Sequence, residues 1–152
     1  DVPLDLFRLA AAEEIRIEYR PMIPPVEAFY FRKSKLPPTI FLDPGLPRNR
    51  RHFRCVLAEE LGHHFASVGL LLPQVHMHYS NRITIDKAEH KAQAWGARYL
   101  VPLDKLLELL HKGVCEVWEM ADKLDVTEEV MKFRMGLPDV IAILYTEKEV
   151  KE

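Results

Sequence analysis

The chain has few cysteines, no excess of positive charge and no long apolar run. Its 2 cysteines, Cys55 and Cys115, form no C-x-x-C pair, so no disulfide framework can be read from them. Two unpaired thiols fit a reducing compartment. No apolar stretch approaches the roughly 20 residues that cross a bilayer. The opening residues, Asp1 to Arg8, lack a basic n-region and a long apolar h-region, so no signal peptide is expected there. Together these absences lead to the expectation of a cytoplasmic protein. The net charge is −2 with the histidines neutral, whereas a domain devoted to duplex DNA usually carries a basic surplus. One local basic patch, Arg48, Arg50, Arg51 and Arg54, reads as a solvated helix start.

What remains is an ordinary globular composition. The 152 residues suit a single domain, and 48% apolar residues suffice for one core. Leu4 to Glu14 reads as a helix with Leu6, Leu9 and Ala10 on one face. Ile15 to Tyr19 alternates apolar and polar residues, as a half-buried strand does. Pro21, Pro24 and Pro25 break the chain, and Ala28–Phe31 and Thr39–Leu42 are short β-type runs bounded by Pro37-Pro38 and Asp43-Pro44-Gly45. A short antiparallel sheet of about three strands is expected, in an α+β fold.

Past Pro47 the period changes. Arg51 to Ser67 reads as a helix that is apolar on much of its circumference (Phe53, Val56, Leu57, Leu61, Phe65) and therefore buried. Val75 to Ile85 is irregular, with strand character at Arg82–Ile85. Asp86 caps a helix to about Leu100, and Pro102 opens another that Gly113 closes. Val114–Leu124 and Thr127–Met135 are two further short helices, Val140–Tyr145 reads as a final strand, and the end of the chain as a frayed tail. The expected organisation is one domain over 1–152: helix and small sheet to 50, a central helical pair over 51–101, C-terminal helices over 102–136 and a tail over 137–152.

The buried-looking helix carries Glu59, Glu60, His63 and His64. An ionised carboxylate buried without a partner costs several kcal/mol or takes up a proton, so four titratable groups there need compensation. A divalent cation is one form of it, an arginine partner for Glu59 and backbone caps for the histidines another. Glu59 and His63 are four apart and share a face, a spacing able to grip one metal ion. Glu60 and His64 have the same spacing, and no complete H-E-x-x-H occurs. Cys55, one turn before Glu59, reads as a structural thiol.

Two segments carry a family resemblance. Val56-Leu-Ala-Glu-Glu-Leu-Gly-His-His-Phe65 resembles the metal-binding helix of the ImmA/IrrE family of small metallopeptidases, which usually reads HELGH. Glu60 matches the motif glutamate and His63 its second histidine; Glu59 stands where the first histidine is expected. Glu89-His-Lys-Ala92-Gln-Ala-Trp95-Gly96-Ala97-Arg-Tyr-Leu100-Val-Pro102 is similar to the family's E-x-x-A-x-x-F-A-x-x-L-L-x-P helix, whose leading glutamate is the third ligand. The resemblance runs from about Leu4 to Met135 and implies a zincin-like fold. It also implies one divalent metal on Glu59, His63 and Glu89, zinc first with manganese or iron as alternatives, and Glu60 as catalytic base. The implied activity is hydrolysis of a protein substrate such as a helix-turn-helix repressor of a phage or mobile element.

The glutamate at position 59 has a physical consequence. Two carboxylates and one imidazole neutralise a divalent ion, where two histidines and one carboxylate leave it positive. The neutral centre is a weaker Lewis acid, and its oxygens suit manganese or iron relatively better. A non-catalytic antirepressor on the same fold, its metal site degenerate, is therefore the alternative. His76, His78 and Tyr79 are candidate oxyanion donors, with polar loop residues as the plainer reading. Gly62 and Gly96 each cost about 1 kcal/mol in a helix interior, which close approach of the two helices would explain. The run Trp118 to Val130 has the rhythm of a helix-turn-helix, yet its second helix would begin with Glu128 and Glu129 and carry only Lys132 and Arg134 as cations. DNA binding is therefore not expected.

Overall fold

The computed structural model describes residues 2–66, 74–77 and 87–151; of 74–77 and 147–151 it describes the backbone alone. Helix α1 (Leu4–Ala12) buries Leu6 and Ala10, one turn apart. Strands β1 (Arg16–Tyr19), β2 (Val26–Phe31) and β3 (Thr39–Leu42) stand close to the positions that alternation and proline breaks indicated. A fourth strand, β4 (Gln74–Met77), lies within the stretch read as irregular. Arg82–Ile85 and the Asp86 cap lie outside the described residues.

The sheet order is β1-β3-β2-β4. It is mixed rather than antiparallel throughout. β2 runs antiparallel to β3 and to β4, but β1 pairs parallel with β3, Arg16 opposite Thr39 and Tyr19 opposite Leu42. Pro21, Pro24 and Pro25 rule out a tight hairpin between β1 and β2, since each removes a ladder donor. β2 and β3 form the hairpin, and β1 occupies the other edge of β3. Ala28, Tyr30, Ile40 and Leu42 fill the inner face, while Phe29 stacks on Phe31 and Phe41 on the other.

Helix α2 (Arg50–Ala66) crosses the inner face and buries Phe53, Val56, Leu57 and Leu61 almost completely. Each such side chain contributes about 1.5–3 kcal/mol of apolar burial. Helix α3 (Lys87–Leu100) packs along α2. Helices α4 (Leu103–His111), α5 (Val117–Leu124), α6 (Glu128–Met135) and α7 (Pro138–Lys151) follow. Leu106, Met120, Met131 and Val140 from these helices join the same core as Leu6, Ile40 and Leu57. No helix among the described residues is long and apolar enough to cross a membrane.

Two local readings are amended. The basic patch is a solvated helix start at Arg48 and Arg50, which stay exposed, but three of its four arginines also dock on the end of α5. Arg50 and Arg51 pair with Asp125 at 2.7 and 3.3 Å, and Arg51 also with Asp122 at 3.0 Å. Arg54 donates to the carbonyls of Leu124 and Asp125. Those carbonyls end α5, where a helix leaves acceptors unsatisfied and favours a cation. Asp125 itself sits in the left-handed region, φ 56°.

The expected strand Val140–Tyr145 and tail over 137–152 are instead α7. An apolar run of that length does not by itself separate strand from helix. Pro138 opens the helix and Asp139 lies in its first turn. Val140 and Leu144, one turn apart, pack on the core, while Ile141 and Tyr145 face outward.

Arg134 ties this helix to the rest. Its side chain is 1% exposed, donates from Nε to the Val101 carbonyl at 2.8 Å, and grips Asp139 with two bonds of 2.8 and 2.9 Å. It is thus withdrawn from any DNA-facing surface of α6. Arg134→Met is expected to destabilise the fold by about 1–3 kcal/mol, since it strands the buried Val101 acceptor and removes the partner of the half-buried Asp139. The Arg134 guanidinium also holds the Asp139 carboxyl below its ordinary pKa. A depressed carboxyl stabilises the fold above its unfolded value of about 3.9, and that stability is lost as pH falls through the lower folded value. Parent and Asp139→Asn should therefore differ in thermal stability at neutral pH and converge in acid.

Candidate metal centre

The site lies where α2 and α3 touch. A Cβ on Gly62 would collide with the Ala92 carbonyl, and one on Gly96 would lie 3.1–3.2 Å from the backbone of Ala58 and Glu59. The two glycines are thus explained by close approach of the helix backbones, as their cost had suggested. That approach brings Glu89, in the first turn of α3, against the third and fourth turns of α2.

One donor atom each from Glu59, His63 and Glu89 lie within 4.8 Å of one another. His63 Nε2 and Glu89 Oε1 are 3.2 Å apart. Tetrahedral donors at about 2.0–2.2 Å from a first-row ion stand about 3.4 Å apart, so this pair already has the required spacing. His63 is fully buried, and among the described residues neither ring nitrogen has a well-aligned hydrogen bond. A buried imidazole without such bonds, beside two carboxylates, fits a ligand role. Burial presses the His63 ring toward neutrality. The adjoining Glu89 carboxylate and the charges of Glu60, Glu89 and Glu59 outweigh it, and the ring is held above its ordinary pKa. A cation entering here competes with that proton.

Glu60, one step around α2, is fully buried. His64 is engaged elsewhere: Nδ1 lies 2.8 Å from the Tyr30 hydroxyl and Nε2 lies 3.3 Å from Glu13. Among the described residues, Glu59 and His63 are the i, i+4 pair that groups with Glu89 as a possible metal-holding set. Tyr30, on the inner face of β2, stacks nearly parallel to His63 with ring centroids 6.4 Å apart. Glu13, His64 and Tyr30 thus form a chain from α1 to the ring of His63. Sequence reasoning missed it, because its members come from three separate elements. The inward parity of Tyr30 with Ala28 was its one available signal. Cys55 is buried, and burial pushes its thiol pKa up, in keeping with a structural thiol. The β2–β4 register sets His76 opposite Ala28; His78 and Tyr79 lie outside the described residues.

A small α+β domain whose two packed helices bring two carboxylates and an imidazole to one point defines a class: domains with a candidate metal centre between helices. The chain belongs to the peptidase family of the IrrE N-terminal-like domain, whose family model matches residues 10–135. Comparison with curated proteins finds no match. Family membership carries a metallopeptidase-like function and dependence on a metal.

Proposed function

We propose that the chain is a metal-dependent peptidase acting on a peptide bond of a protein substrate, in the class of helix-turn-helix repressors of phages or mobile elements, in the cytoplasm. The observation that carries this reading is the convergence of Glu59, His63 and Glu89, with Glu60 buried beside them. In it, Glu59, His63 and Glu89 hold one divalent metal, zinc first, with manganese or iron favoured more than usual by two carboxylate oxygens. The bound metal supplies Lewis acidity to the scissile carbonyl and the attacking water. Glu60 accepts the proton of that water as its oxygen adds to the carbonyl carbon. It then hands the proton to the departing amine as the C–N bond breaks. Tyr30, stacked against His63, limits the orientations of that ring.

Glu59→His completes the HELGH pattern and tests the ligand assignment. Zinc uptake, followed by titration calorimetry, is expected to rise. Uptake that is unchanged or lower would remove Glu59 from the ligand set. Glu59 in place of histidine also favours a second reading, a non-catalytic antirepressor. Its mark would be repressor bound without cleavage in metal-loaded protein.

A further inference from the structure

The outer face of α3, turned away from Glu89's partners, lines a groove of about 580 Å³ together with the end of α2 and the start of α7. Its apolar part is a stack of aromatic rings. Trp95 stacks on Phe65 with ring centroids 4.7 Å apart and on Tyr99 at 5.3 Å, both nearly parallel. Leu137 is buried beside them. Its polar part has one sign. Lys91 and Arg98 are exposed, and neither takes part in an ion pair among the described residues. Among the described residues no carboxylate lines the groove. Asp139, whose carboxyl also feels the Arg98 charge, is gripped by Arg134, and Asp5 accepts from the Tyr99 hydroxyl. A cationic, aromatic groove in a chain of net charge −2 is a local departure from the protein's overall balance.

Lys91 and Arg98 are seven residues apart, two helical turns, so they project from one face about 10 Å apart along the axis. Trp95 stands between them. A helix offering carboxylates at i and i+7 and apolar side chains at i+3 and i+4 has the complementary pattern.

We propose that this groove docks an acidic amphipathic helix of the protein substrate, with Lys91 and Arg98 pairing its carboxylates and Trp95 and Tyr99 receiving its apolar face. The inference deepens the peptidase reading and rests on it for what docking achieves. Glu89 and the groove share α3, so a substrate held on the outer face is presented at a fixed distance from the site on the inner face. Single-stranded nucleic acid also favours cations beside aromatic planes. Its continuous charge would meet a mildly acidic protein beyond the groove, whereas a peptide needs only the local pair.

The test is fluorescence anisotropy with a labelled helical peptide of about 15 residues carrying the i, i+7 acids and the apolar pair. It is run on metal-free and metal-loaded protein, and on Lys91→Glu with Arg98→Glu; both positions are exposed, so folding should survive, as circular dichroism will check. The parent should bind in a salt-sensitive manner in both metal states, and the double variant should bind roughly tenfold or more weakly with metal content unchanged. Equal binding by the double variant overturns the proposal, as does equal binding of a lysine-substituted peptide or preferential binding of a single-stranded oligonucleotide. Peptide binding by a protein that takes up no metal would sink the peptidase reading while leaving the docking groove standing. Metal uptake without peptide binding would do the reverse.

Discussion

A Gly62→Ala protein is expected to be less stable than the parent, against the usual direction of such a change. In an unobstructed helix interior, alanine in place of glycine stabilises by about 1 kcal/mol. Here the new methyl would overlap the Ala92 carbonyl, a backbone group of α3 that cannot swing aside as a side chain can. The helices must separate, at a cost of about 1–3 kcal/mol or more, which outweighs the propensity gain. Gly96→Ala should be milder, because its methyl meets the Ala58–Glu59 backbone at 3.1–3.2 Å, a distance that a few tenths of an ångström relieve. Separation also carries Glu89 away from His63, so metal uptake should fall in the same order. Thermal unfolding and metal titration of the two variants check this; a stabilised Gly62→Ala protein with unchanged metal uptake would contradict the packing account.

Glu60→Gln is expected to lower peptide hydrolysis by about 10²–10⁴-fold while metal content stays at the parent level. The substitution keeps the volume of a fully buried side chain but removes the proton acceptor. Loss of cleavage with metal retained separates the base from the ligands. Alanine at Glu59, His63 or Glu89, which removes a ligand outright, should lose metal and activity together. Incubation with a helix-turn-helix repressor, followed by intact-mass analysis of the products, reads the difference. Undiminished cleavage by Glu60→Gln would place the base elsewhere. The docking groove on α3 should be indifferent to the change.

The convergence of Glu59, His63 and Glu89 was legible in outline because burial and charge conflict openly in α2. An apolar helix that also carries Glu59, Glu60, His63 and His64 states a problem that only compensation solves, and Gly62 and Gly96 signal close packing by their helix cost. The sequence left two registers open; in the structure His64 lies against Tyr30 and Glu13, and Glu59 and His63 converge with Glu89.

Most of the features that escaped the sequence depend on partners distant in the chain. The parallel β1–β3 pairing sets β1 on the edge of β3 that β2 does not occupy. The arginines of α2 find their role only against the end of α5, about 70 residues on. The Val140–Tyr145 run is helical because Arg134 anchors Asp139 and the core accepts residues one turn apart. No pattern within the run itself says so.

The account stands on Glu59, His63 and Glu89 as one metal site. The most direct measurement is the metal content of parent protein purified without chelator, beside that of Glu89→Ala. The account predicts about one equivalent of zinc, manganese or iron in the parent and its loss in the variant, with both proteins folded. Equal content in the two, or none in the parent even after incubation with each ion, would contradict it.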